Sequence, residues 1–357
     1  GGYTELAALK QAASTFTDSL VGTPSQMALF SFASVTPADG ATQNYPGLVS
    51  VATQSGADAF KARYSSWTSG GGTNWDRALA ATAEAEASYD IVVVITDGNP
   101  TYYSQPAEGP GNFTRIREME NGVFSANAVK NQGTRVIAVG VGEGVDDTAT
   151  GQNLRAISGP TAYSGDNATT ADYYQVDDYT IVGQALRQLA LGDCEGSLSV
   201  VKQIVPSGGT IDDATPGGAG WTFSAESQTE DVTLGSTSET TDASSAVNFP
   251  LTYAGGVTAG TIEVQEEPHA GLGLFQVDGA NAVCTDLVTG DDVTVTNVGE
   301  TGFTVDVPNT DAVSCRVFNE FAAPASLTVN KEWVINGADP VPEGNQPPGF
   351  ASALTMT

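Results

Sequence analysis

Asp90-Ile-Val-Val-Val-Ile-Thr-Asp-Gly98 is the stretch on which the reading of the N-terminal half turns. The unbroken β-branched run from Ile91 to Ile95, bounded by Asp90 and the turn pair Asp97-Gly98, marks a strand buried on both faces. Upstream, Asp76–Ala87 is Ala-rich and reads as a helix. Glu5–Leu20 reads as an amphipathic helix with Leu6, Leu9, Ala13, Phe16 and Leu20 at helical spacing, and Met27–Phe32 as a short apolar strand. Downstream, Gly122–Asn131 predicts a helix, Val136–Val141 a second buried strand and Tyr179–Leu191 a closing helix. This alternation predicts a doubly wound, Rossmann-like α/β domain over residues 1–192, with ligands beyond the carboxyl ends of its strands.

The chain has 357 residues, enough for two or three cores, and a formal net charge of −29. Such acidity argues against nucleic acid or an anionic lipid surface as partner and is compatible with divalent ions. No apolar run approaches the ~20 residues of a membrane span, so no membrane insertion is expected in this segment. The opening is not a signal peptide, and both ends read as cuts through a longer protein. Lysine occurs only at positions 10, 61, 130, 202 and 331, so an oddly placed one is informative.

After Gly192 helical periodicity vanishes, and Gly/Thr/Ser/Pro turns separate short alternating strands. Residues 193–323 therefore predict an antiparallel, immunoglobulin-like β-sandwich. Ser197-Leu-Ser-Val-Val-Lys-Gln-Ile-Val205 recurs as Ser326-Leu-Thr-Val-Asn-Lys-Glu-Trp-Val334, with Gly220-Trp221 following one copy and Gly349-Phe350 the other. Residues 324–357 thus read as the opening strands of a further sandwich.

Two loops of the first domain carry oxygen ligands suited to a hard divalent cation. Gly70-Gly-Gly-Thr73-Asn74 leads into the helix from Asp76, and Asp97 ends the apolar strand. Alone, an Asp in that position is more often a turn residue. Together with the strands Ile91–Gly98 and Val136–Gly142, the segment Ser69–Leu79 and the closing Tyr174-Gln-Val-Asp-Asp-Tyr179, these loops make residues 1–192 resemble the von Willebrand factor type A domain. The resemblance implies a metal-ion-dependent adhesion site for Mg²⁺ (or Mn²⁺ or Ca²⁺) with Thr73 and Asp97 as ligands, completed by a ligand carboxylate. The family's D-x-S-x-S loop and the central strand before it have no match here, so the site is expected to be incomplete and the place of that strand in the sheet to be an open slot between its two neighbours.

Strand alternation supplies an independent signal. Leu198, Val200, Lys202 and Ile204 share one face, as do Ile262, Val264 and Glu266, and Val313, Cys315, Val317, Asn319 and Phe321. Each face is apolar, so Lys202, Glu266 and Asn319 point into the core. Two outcomes are open: a buried Lys202–Glu266 ion pair with Asn319 as hydrogen-bond partner, or attack of a neutral lysine on the Asn carboxamide, assisted by the Glu. V-V-K-Q-I at 200–204, G-T-I-E-V-Q-E-E-P at 260–268 and C-R-V-F-N-E-F at 315–321 resemble the collagen-adhesin B-type stalk domain of Gram-positive surface proteins. That resemblance implies a Lys202–Asn319 isopeptide bond with Glu266 as catalytic acid.

Of three cysteines, Cys284 and Cys315 are expected to pair and Cys194 to be left over. Lys331 faces its strand's apolar side as Lys202 does. The only histidine is His269, and no nucleophile–base pair suggests an enzyme beyond this self-modification. The expectation is a secreted, bacterial cell-surface adhesin or pilus-tip-like protein binding an extracellular protein or glycan. The alternative is a structural shaft subunit whose type A domain has no metal role.

Overall fold

The computed structural model describes residues 5–321 and 331–349 except 42, 143, 144, 146, 166, 177, 178, 193–195 and 343. Two compact units divide the chain, Gly1–Phe321 and Ala322–Thr357. The second contributes a short antiparallel pair, Glu332–Trp333 with Val341–Pro342.

The first unit begins as mixed α/β. Its elements are α1 (Glu5–Ser19), β1 (Gln26–Leu29), β2 (Tyr45–Ser50), α2 (Gln54–Ser65), α3 (Trp75–Ala83), β3 (Ile91–Thr96), α4 (Ile116–Lys130), β4 (Arg135–Val141), α5 (Thr148–Ile157), β5 (Tyr173–Val176) and α6 (Tyr179–Gly192). Strands β3, β4 and β5 form a parallel sheet in that order. Alternation along β4 splits its apolar side chains between two cores, as the buried run predicted. Ile137, Val139 and Val141 pack with Ala12, Val182 and Leu186 from α1 and α6. Val136 and Ala138 pack on the other face with Trp75, Ala126 and Leu154 from α3, α4 and α5.

Strand β3 is less enclosed than its composition predicts. Among the described residues it pairs only with β4, while β1 and β2 form a separate antiparallel pair. Ile91 is 36% exposed, and Val92, Val93 and Ile95 are only partly buried. A fully apolar strand with one unpaired edge is a place where another strand could add.

The rest of the unit is all-β: β6 (Ser197–Val205), β7 (Thr215–Pro216), β8 (Thr222–Ser227), β9 (Val232–Leu234), β10 (Ser238–Thr240), β11 (Ala246–Tyr253), β12 (Ala259–Glu266), β13 (Leu272–Phe275), β14 (Val283–Asp286), β15 (Asp292–Val293), β16 (Val295–Val298), β17 (Gly302–Pro308) and β18 (Ala312–Phe321). One sheet runs β10-β8-β12-β17-β16 and the other β15-β14-β18-β6-β11-β9. Their inward residues, among them Val200, Phe223, Phe249, Ile262, Phe303 and Val317, form a single core. The first strand, β6, and the last, β18, are parallel neighbours. Cys284 and Cys315 stand opposite each other on β14 and β18 and form a disulfide. Cys194 lies outside the described residues.

Sequence alternation assigns Ser199 and Val201 to the solvent side of β6, yet both are buried. The α/β part covers that face: Ala52 packs on Val201 and Ala246, and the Ser50 hydroxyl donates to the Ser244 carbonyl at 2.9 Å. The Ser314 hydroxyl likewise donates to the Gly22 carbonyl at 2.7 Å. Phe321, expected inward, is 58% exposed, because it is the last residue of its strand and lies beyond the covered end of the core.

Gly22 has φ +90° and is buried at this junction, where an added Cβ would lie 2.7 Å from the Ser314 hydroxyl oxygen. Gly133 has the same φ of +90° but open space around its Cβ position. Gly133→Ala therefore incurs backbone strain alone, about 1 kcal/mol, whereas Gly22→Ala adds overpacking for a total of about 2–4 kcal/mol. Urea denaturation of the two variants checks this, and equal midpoints would contradict it.

Candidate functional site

Lys202, Glu266 and Asn319 converge inside the sandwich. Lys202 and Asn319 sit on neighbouring parallel strands, where Lys202 registers with Val317 and Asn319 with Ile204, so the two side chains emerge two positions apart on the same face. Glu266 ends β12 in the facing sheet, next to Phe223. All three are buried, at 0%, 4% and 2% exposure.

The contacts close a ring. The Lys202 Nζ lies 2.6 Å from Glu266 Oε2 and donates to Asn319 Oδ1 at 2.5 Å. The Asn319 Nδ2 donates to Glu266 Oε1 at 2.6 Å. One carboxylate thus bridges the amine and the amide nitrogen, and it is placed to take a proton from the first and pass one to the second. Desolvation lowers the Lys202 pKa to about 8 against the opposing pull of the Glu266 charge. At that value about half of the amine is neutral at mildly basic pH, near 8.

Thr73 and Asp97 occupy adjoining loops at the carboxyl end of the parallel sheet. Asn74 caps α3 by accepting from the Arg77 N–H at 3.0 Å, and the Thr73 carbonyl accepts from the N–H groups of Thr101 and Tyr102 at 2.8 and 2.9 Å. The Thr73 hydroxyl oxygen faces the Asp97–Gly98 turn, 3.6 Å from where a Cβ on Gly98 would stand. Asp97 is exposed. Six or more oxygens surround Mg²⁺ or Ca²⁺, and these two residues supply a minority of them. Among the described residues no group of three or more His, Cys, Asp or Glu side chains is placed to hold a metal ion. These two residues alone do not make a shell.

A cleft of about 940 Å³ opens beside this pair. Asn99, Asn153 and Phe113 line it, and each lies in an irregular loop or on a helix face where no motif marks it in the sequence. Trp221 was also not assigned to the site, although its ring centroid lies 4.3 Å from Lys202 Nζ. The aromatic residue after glycine in both copies of the internal repeat was the available signal. In the second unit Lys331 Nζ lies 4.1 Å from the Trp333 ring centroid, but the Leu327 and Val329 expected beside it lie outside the described residues.

Neither a protein-family model nor a curated protein matches the chain. Among solved structures it is similar to proximal thread matrix protein 1 from the mussel byssus (crystal form 2), at 16% identity and a TM-score of 0.33 over 56% of this chain. The matched region spans about half, 47%, of that chain.

Linkage gives a pH signature for the unreacted site. Because the Lys202 pKa falls from 10.5 in the unfolded chain to about 8, between those values the unfolded state holds a proton that the native state has released, and stability rises with pH. In Asn319→Ala, which cannot condense, stability is expected to rise by about 2 kcal/mol from pH ~8 to pH ~9.5. The double variant Lys202→Met/Asn319→Ala should lack that rise in urea titrations at the two pH values.

Proposed function

We propose that the chain is part of a secreted, bacterial surface protein whose sandwich forms an intramolecular Lys202–Asn319 isopeptide bond. The observation that carries this reading is the closed ring of Lys202, Glu266 and Asn319 in the buried core. The alternative, an ion pair with Asn319 as its hydrogen-bond partner, uses the same three groups, but buried ion pairs rarely gain over apolar replacements. A carboxylate bridging amine and carboxamide meets the requirements of condensation.

In that step Glu266 takes a proton from the Lys202 ammonium, and the neutral Nζ attacks the Asn319 carbonyl carbon. The C–Nδ2 bond then breaks as Glu266 delivers its proton to the departing nitrogen. As the oxyanion collapses to the carbonyl, the new amide nitrogen gives its second proton to the regenerated Glu266 carboxylate, which passes it to the departing ammonia, so one amide forms and one nitrogen leaves as ammonium. The sandwich would then be an immunoglobulin-like stalk domain of the collagen-adhesin B type.

For the α/β part the same reading is a Rossmann-like type A module that presents an extracellular protein or glycan ligand to a cation. Thr73 and Asp97 at the carboxyl ends of the strands support it, as does the unpaired edge of β3, where that module carries a further strand. A second reading, a shaft subunit with no metal role, is favoured by the small number of ligand oxygens in the described loops.

Intact-mass spectrometry tests the cross-link. The wild-type chain is expected about 17 Da below the mass calculated for its disulfide-bonded sequence, and Lys202→Ala, Glu266→Ala and Asn319→Ala at full calculated mass. A wild-type chain at full mass would sink the reading. For the metal role, Thr73 and Asp97 make only part of a shell, so millimolar MgCl₂ should raise the melting temperature of the wild type only slightly and leave that of Asp97→Ala unchanged. If neither protein responds, the shaft reading stands.

A further inference from the structure

Lys202 has a third neighbour that the condensation chemistry does not require. Its ammonium donates in two directions, to Glu266 and Asn319. On another side it meets the face of Trp221, which is 4% exposed. A buried amine normally looks for water or another acceptor there. An aromatic face tolerates the ammonium by cation–π attraction while offering the neutral amine no hydrogen bond that would occupy its lone pair.

The ring is held in place from several sides. Its Nε1–H donates to the Gly217 carbonyl at 3.0 Å, and its backbone N–H to the Thr241 hydroxyl at 3.1 Å. That hydroxyl in turn donates to the Gly218 carbonyl at 2.8 Å. On the outer face His269 stacks at 4.1 Å between centroids and 26° between planes, with its Nε2 3.1 Å from the Gly220 carbonyl oxygen. The segment from Pro216 to Trp221 is thus a strap across the lysine.

The same strap fixes the other end of the side chain. The Gly217 N–H donates to the Lys202 carbonyl at 2.9 Å. A Cβ on Gly217 would come within 2.5 Å of Lys202 Cγ and 3.1 Å of its Cβ. Gly218 and Gly220 have φ of +74° and +99° and turn the strap, but Gly217 is not in that region. What position 217 requires is absence of volume. Stem and head of one lysine are therefore set by two residues four positions apart in a single turn.

We infer that Gly217 and Trp221 are positioning residues for the Lys202 amine: the glycine seats the stem, and the indole covers the nitrogen against water so that it faces only Glu266 and Asn319. This rests on the cross-link reading for its consequence, though the shielding itself does not. Two measurements on the full chain keep them apart. The first follows ammonia loss by mass as freshly translated chain, not yet cross-linked, folds for the first time. Trp221→Leu and Gly217→Ala are each expected to condense at least about tenfold more slowly than wild type, and Trp221→Phe, which keeps a π face, to stay within about threefold. The second follows acylation of Lys202 by peptide mapping in the Asn319→Ala background, where no condensation occurs. Adding Trp221→Leu or Gly217→Ala should raise the labelling rate at least about tenfold, and Trp221→Phe should not. Unchanged labelling in both the Leu and Ala variants would overturn the inference whether or not the wild type condenses. Wild-type condensation rates in those two variants would do so as well. A wild type that never loses ammonia but shows the labelling pattern would remove the cross-link and leave the positioning intact.

Discussion

Placing the Lys202 ammonium in the centre of a β-sandwich is the constraint around which the C-terminal half of the first unit is arranged. An isolated charge there would cost several kcal/mol, and removing one partner of a buried pair typically costs about 3–5 kcal/mol. The compensation comes from three separate places in the sequence: Glu266 from the facing sheet, Asn319 from the neighbouring strand and Trp221 from the strap. The contact with Asn319 exists only if β6 and β18 are adjacent and in one particular register. A slip of one residue would turn Asn319 to the opposite face and leave the lysine with Glu266 and Trp221 alone. The polar cluster therefore specifies the sheet order as much as the sheet order creates the cluster.

That dependence extends into the α/β part. Strand β6 is buried on both faces, by the sandwich core on one side and by Ala52 and its neighbours on the other. Lys202 is thus anchored in a strand with no solvent-facing side over most of its length. Small groups meet at the centre of the junction: Gly22, Ser50, Ala52, Ala246 and Ser314. Close approach of backbones at such a seam leaves little room for the two parts to slide. Residues 5–192 and 196–321 consequently form one compact unit although their secondary structure differs in kind.

Much of this was legible in the amino-acid order, because period-2 alternation is a local signal. It put Lys202, Glu266 and Asn319 inside before any contact was known, and the buried run Ile91–Ile95 correctly gave a parallel strand. What it could not give depends on distant parts of the chain. Ser199 and Val201 look solvent-facing until the α/β part covers them, and α2 and α5 were missed because their apolar faces are short. Helix α4 begins at Ile116, six residues earlier than the periodicity suggested, because the Glu118 carboxylate caps it by accepting from the Arg115 N–H at 2.7 Å. The role of Gly217 is invisible in sequence, since a glycine needed for space reads like one needed for a turn.

The parallel pairing of first and last strands also determines what a closed bond would do. Tension applied through the two ends of the sandwich enters at Ser197 and leaves near Phe321, along two strands that lie side by side. If Lys202 and Asn319 are joined as proposed, that path crosses directly from one strand to the other, and residues 203–318 lie outside it. The Cys284–Cys315 disulfide falls within that bypassed stretch. Its contribution would then be to the folding equilibrium of the sandwich rather than to resistance against pulling. Two covalent links in one domain would answer two different demands: the disulfide holds β14 against β18 within the sheet, and the amide carries force between the ends.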